Sequence, residues 1–257
     1  IVIDGSLSEN AETGQMIFSA SLAGNAVHLG NLLQSEELGA LDFELEAEGS
    51  GSTLDDLDLA VDGWIQDMEV KKYLYEKIIL GGKIKGKSFD GRIMVDDKSL
   101  VLKFDGLVDF NHTVPEYDFL LELEKARLND IHLSDRSKDQ NLKGTFKIDF
   151  KGSNADSFYG QLLLNDLIYT EESKDYTLHH LELNRRRNAG QPDVTALRSD
   201  YIDGDVTGRF IIKDLITQFS SFILGNEEDT AIWNQMSTNP QYVSFDFRLK
   251  NIAPVTE

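Results

Sequence analysis

The chain has 257 residues, 40% of them hydrophobic, a formal net charge of -20 and no cysteine. That apolar content is ample for a folded core, yet no run approaches the roughly 18 apolar residues of a membrane helix. The charge argues against non-specific binding to nucleic acid or to anionic lipid surfaces, and the missing thiols exclude a disulfide framework and cysteine chemistry.

Taken in chain order, Ile1-Val-Ile-Asp-Gly reads as a strand end with no initiator Met and no basic-then-apolar leader. The expectation is a piece of a longer protein in which residues 1–16 close a preceding repeat. Val27 to Leu38 carries Leu29, Leu32 and Leu33 on one side with Gly39 as a stop, which predicts a short amphipathic helix. From Leu41 onward, period-two alternation takes over. Leu57, Leu59 and Val61 oppose Asp56, Asp58 and Asp62. Ile78 and Leu80, then Ile93 and Val95, then Leu100, Leu102 and Phe104 share a dry face, with Lys103 and Asp105 on the wet one. Gly49-Ser-Gly-Ser52, Gly81-Gly82, Asp90-Gly91, Asp96-Asp-Lys98, Asp105-Gly106 and Asp203-Gly204 punctuate the strands at short intervals, so the sheet should be antiparallel and meandering. Pro115 and Pro192 fall between strands, where a missing donor is harmless. A second amphipathic helix is expected over Asp214 to Leu224, where Leu215, Ile216, Phe219, Phe222 and Ile223 share one side. Both helices should pack on the sheet at repeat boundaries, with a role as membrane-surface helices as the alternative.

The pattern returns about 102 residues later. Leu41 to Ser50 is echoed by Gly144 to Ser153, pairing Phe43 with Phe146 and Gly49 with Gly152. Leu29 matches Ile131, Tyr75 matches Tyr176 and Gly106 matches Gly208 at nearly the same offset. A third copy opens at Tyr242. The expected division is residues 17–118 as a first β repeat, 119–241 as a second with a helical insertion near 213–238, and 242–257 as the start of another. By this alignment Phe146, Ile148, Phe150, Ile202 and Val206 take the places of the first repeat's dry-face residues.

Catalytic motifs are absent: there is no Gly-x-Ser-x-Gly, no phosphate-cradling loop and no His-Glu-x-x-His. Most carboxylates alternate with apolar residues and read as a solvated face. Asp200, Asp203 and Asp205 have oxygens spaced loosely as in a calcium loop, without the register or closing Glu of an EF-hand; an acidic turn and a metal site both stay open, the turn preferred. His179-His180 lies mid-strand, so its rings point to opposite faces. Arg185-Arg-Arg187 reads as a solvated hairpin tip, with phosphate recognition as the alternative. Asn111-His-Thr113 fits a glycosylation triplet. A repeated sheet with one dry face must cover it with a second sheet, with helices, or with an apolar partner, and there are too few helical residues for the second option.

Tyr73-Leu-Tyr-Glu-Lys-Ile-Ile-Leu80, Phe89-Asp-Gly-Arg-Ile-Met-Val-Asp96 running on to Gly106, and Leu197-Arg-Ser-Asp-Tyr-Ile-Asp-Gly-Asp-Val-Thr-Gly208 resemble the repeating β modules of TamB and the wider AsmA-like group, in the style of Bacteroidota. The resemblance covers roughly Ile17 to Phe222 and rests on pattern. It implies an all-β, elongated antiparallel repeat curled into a trough, within a protein anchored in the inner membrane elsewhere and crossing the periplasm. It also implies a non-enzymatic role: moving phospholipid toward the outer membrane, or aiding outer-membrane protein assembly with a TamA-like barrel as partner, without a cofactor. Acyl chains would then be lined by Ile78, Leu80, Ile93, Val95, Leu100, Leu102, Phe104, Phe146, Ile148, Phe150, Ile202 and Val206. The alternatives are a structural or adhesive surface repeat with a closed core and, third, a polysaccharide-cleaving enzyme using paired carboxylates.

Overall fold

A computed structural model describes residues 1–12, 14–28, 30–31, 35, 37–53, 55–134, 139–154, 157–187, 192–209 and 242–250. Among the described residues strands hold 74% and helix 1%, so the fold is all-β. The strands are β1 (Val2–Glu9), β2 (Met16–His28), β3 (Ala40–Ser50), β4 (Asp58–Val70), β5 (Tyr73–Lys85), β6 (Ser88–Asp96) and β7 (Leu100–Asp109). They continue as β8 (Glu116–Arg127), β9 (Asn141–Lys151), β10 (Tyr159–Glu171), β11 (Lys174–Arg186), β12 (Val194–Ser199), β13 (Ile202–Arg209) and β14 (Tyr242–Leu249). They form one antiparallel sheet in strict chain order that is open, with β1 and β14 at its ends. Two compact units divide the chain: residues 1–149 with 164–179, and 150–163 with 180–257.

The repeat is visible in the strand lengths. β3, β4 and β5, of 11, 13 and 13 residues, return as β9, β10 and β11 of the same lengths. The shift is about 101 residues throughout. Backbone geometry repeats with it. The turn after β4 places Lys71 and Lys72 at φ +50° and +67°, and the turn after β10 places Glu172 and Ser173 at +49° and +66°. Gly106 and Gly208 both stand at φ +143°. This geometry corrects two of the pairings expected from the sequence. Gly152, at φ +152° just past β9, corresponds to Gly51, at φ +146° just past β3, and not to Gly49 inside the strand. Phe146 accordingly matches Leu45 rather than Phe43. The two-residue slip leaves every face assignment intact, because the side-chain period of a strand is two.

Of the two expected helices, the first loses both ends to the sheet. Val27 and His28 pair with Leu41 and Ala40, and Leu38 bridges Val70, so β-branched and long apolar side chains extend the ladder there; Gly30 and Asn31 are helical. The second, Asp214 to Leu224, and the insertion near 213–238 lie outside the described residues.

Candidate functional site

In the first unit the pairing registers decide which side chains share a face. Leu45, Gly63, Leu80, Ile93, Phe104 and Leu121 are successive cross-strand partners from β3 to β8, and Phe43, Ile65, Ile78, Val95, Leu102 and Leu123 form the next row. Direct partners lie on one face with Cβ atoms about 5 Å apart, so these rows make a continuous apolar surface. Lys103 pairs with Met94 and Glu122 on the opposite face, where exposed ion pairs such as Lys103–Glu124 (2.8 Å) and Arg92–Asp105 (2.9 Å) sit. Phe104 is half-buried and Lys103 exposed.

A third row on the apolar face is made mostly of small residues: Gly5, Ala20, Ala47, Val61, Gly82, Gly91, Gly106 and finally Phe119. A methyl group added at Gly106 would lie 2.6 Å from the Phe119 Cα, so the backbones approach too closely for any side chain. Aromatic rings cover this row: Phe104 stacks on Phe119 at 4.9 Å between centroids and on Phe89 at 6.3 Å, and Phe119 stands directly opposite Gly106. Glycine kinks paired with aromatic rings are how a sheet bends without losing its ladder.

One end of this face is closed. Tyr73, Val95, Leu100, Ala126 and Ile131 are buried together, with Ile78, Ile93, Leu102 and Leu128 packed against them. The turn at 128–131 after β8 therefore covers the face at the β4–β5 turn. Polar links hold it there. His132 Nδ1 lies 2.7 Å from the Lys71 carbonyl, the Ser99 hydroxyl donates to Asp130 (2.7 Å), and the Tyr73 hydroxyl donates to Asp97. Asp97 is 4% exposed and also accepts the backbone N–H groups of Ser99 and Glu76. Burial by itself would raise its pKa, but these donors outweigh it and hold the carboxyl below its ordinary value. Burial, reinforced by the neighbouring carboxylate, pushes the Tyr73 hydroxyl up to about 12.

The expected lining residues thus fall into classes. Val95 and Leu100 are buried in the closed end; Ile78, Ile93 and Leu102 flank it; Leu80 and Phe104 lie farther along the half-exposed face. Phe146 and Ile148 are half-buried on β9 between exposed Lys147 and Asp149. Phe150, Ile202 and Val206 belong to the second unit. There Phe150 meets Phe158 edge-on at 5.9 Å, and Val206 is 5% exposed. The carboxylates of the suspected calcium loop are committed separately: Asp205 to Arg198 (2.8 and 2.9 Å), Asp203 to Lys250 (2.7 Å), and Asp200 to the His180 N–H (3.1 Å). Among the described residues no group of three metal-ligating side chains converges. Exposed His179 lies 3.4 Å from Asp166. The Asn111 amide donates to the Lys85 carbonyl and accepts from Lys87 N–H, tying down the β5–β6 turn.

Sequence reasoning missed Arg185. Read as part of a solvated tip, it is 3% exposed, directly opposite Thr195 in the ladder. Its guanidinium lies 3.1 Å from Asp193 and stands over the Phe158 ring at 5.6 Å. Arg187, two residues on, reaches the same carboxylate at 3.5 Å and stacks over Tyr159, while Arg186 is exposed and pairs with Val194 on the other face. Two-residue spacing was the available signal, since it puts the first and third arginines on one face. Comparison of the chain with protein-family models, with curated proteins and with solved structures finds no match in any of the three.

Proposed function

We propose that the chain is a lipid-conducting segment of a TamB/AsmA-like envelope protein of the periplasm, acting without catalysis on phospholipid acyl chains. Contact with a TamA-like barrel would belong to regions outside this chain. The observation that supports the reading is the continuous row structure of the first unit's apolar face. Across β3 to β8 it presents many aliphatic and aromatic side chains that are half-buried, Leu45, Leu80, Ile93, Phe104 and Leu121 among them, and the turn at 128–131 packs over one end of it. A face of this size left against water is costly, at about 25 cal/mol for each Å² of apolar surface, and an acyl chain would remove that cost. The polar face, with its exposed ion pairs, needs no such cover.

The test is native mass spectrometry of the chain purified from cell envelopes, with wild type compared with Phe104→Glu and Lys103→Glu. Phospholipid should co-purify with wild type and with Lys103→Glu. The Phe104 variant should stay folded, because water reaches a half-exposed carboxylate, but should lose the lipid. Unfolding of the Phe104 variant together with lipid-free wild type would instead support a closed structural or adhesive repeat.

A further inference from the structure

The apolar face of the first unit has two unlike ends. At one, Leu100 of β7 is buried under the turn at 128–131, and from there β7 runs ten residues, about 30 Å, to the other. The last cross-strand row at that far end is Leu59, Ile84, Phe89, Val108 and Tyr117, all half-buried. Phe110 follows Val108 by two residues and so carries the same face past the strand. Its N–H still donates to the Lys87 carbonyl (3.1 Å), and its ring meets Tyr117 edge-on at 5.8 Å. Phe110 is nonetheless 50% exposed, and Val114, farther along the same loop, is 42% exposed. The loop that presents them is fixed. Asn111 accepts from the Lys87 N–H (2.8 Å), donates its side-chain amide to the Lys85 carbonyl (2.9 Å) and donates its N–H to Asp109 (2.7 Å), while Pro115 restricts the backbone behind Val114.

We infer that the loop at 110–115 is where the protein meets a lipid bilayer with zwitterionic headgroups, Phe110 and Val114 entering its surface. This deepens the acyl-chain reading and rests on it. Size decides against a protein partner: a specific interface takes about 800 Å² from each side, and this loop offers two apolar side chains. Two suffice at a lipid surface, where each anchors by transferring its own area and needs no shape-matched pocket. A loop already fixed by Asn111 loses little conformational freedom on docking. Charge decides the kind of surface. Lys87 beside the loop is paired with Asp55 (3.2 Å), Asp109 and Glu116 bracket it in sequence, and the chain carries -20, so an anionic membrane repels it. Docked this way, the row from Leu59 to Tyr117 lies next to the bilayer, and an acyl chain passes onto the face without crossing water.

Flotation of the whole chain with phosphatidylcholine vesicles tests this, set against vesicles of equal parts phosphatidylcholine and phosphatidylglycerol. Wild type should float with the first and less with the second, the difference shrinking as salt is raised. Phe110→Ser should weaken binding about ten-fold, the loss of one aromatic anchor, and Val114→Ser should weaken it less. Phe110→Trp should bind more tightly, a gain that misfolding cannot imitate. Met94→Ser, as exposed as Val114 but paired with Lys103 on the polar face, and Leu133→Ser, just past the covering turn of the closed end, should alter nothing. A loss from either control equal to that from Phe110→Ser overturns the site, as does tighter binding to the anionic vesicles. A vesicle-free dimer that Phe110→Ser dissolves makes a second copy the occupant and overturns it too. Wild type that co-purifies with phospholipid but does not float overturns this inference alone. Wild type that does neither overturns the acyl-chain reading with it.

Discussion

Tyr73 and Asp97 show how burial and the hydrogen bonds made within it set the pH response of the closed end. The folded-state pKa of Tyr73 is raised from 10.0 to about 12, so its contribution to stability is complete below pH 10 and is lost as pH rises toward 12. Asp97 is shifted the other way: its contribution is complete above its ordinary value of 3.8 and is lost as pH falls through the lower folded value. Thermal melts should therefore show an alkaline loss of stability that Tyr73→Phe diminishes. At neutral pH that substitution should cost about 1–3 kcal/mol, because a buried carboxylate loses a donor. Gly106 is the other residue on which the fold depends closely. At φ +143°, with the Phe119 backbone against it, Gly106→Ala should destabilise by about 2–4 kcal/mol in chemical denaturation, more than an alanine in an ordinary strand position.

At the level of elements, the two-residue turn of the β4–β5 hairpin stands out. Val70 pairs with Tyr73, and both turn residues, Lys71 and Lys72, have positive φ, a type I′ turn built without its preferred residues. Replacing the pair by Asn-Gly should raise stability by about 1 kcal/mol, read as an increase in Tm. The His132 contact to this turn uses the Lys71 backbone carbonyl and survives the exchange. Alternation made the strands and their faces legible in the sequence, as the common face of Leu80, Ile93 and Phe104 shows. Alternation also explains the slip between Phe43 and Leu45, since a strand shifted by two presents the same pattern. Tyr75 and Tyr176, adjoining a turn of fixed length, were placed at the correct offset.

For the whole molecule, the site was less legible than the sheet. Nothing in the short run Ala126-Arg-Leu-Asn-Asp-Ile131 signals that Ile131 will return over Val95 and Leu100, because that contact depends on how the turn folds back and not on periodicity. Arg185 was misread for a related reason: a charge run looks solvated until a partner such as Asp193, brought beside it by the next hairpin strand, is placed. Stability should also be graded along the sheet. β1 pairs with β2 alone and is exposed at every position, so its amides should exchange with solvent at least about ten-fold faster than those of β5 to β7 by mass spectrometry, with uniform protection as the contrary result. Finally, strict chain-order pairing bears on how the molecule comes into being. Each strand hydrogen-bonds to the strands immediately before and after it, so each strand of a chain emerging end-first during synthesis finds a partner already delivered in the strand before it. Assembly can then keep pace with synthesis, one hairpin at a time, and a longer or shorter version of this sheet could be made by adding or removing hairpins without rewiring those that remain.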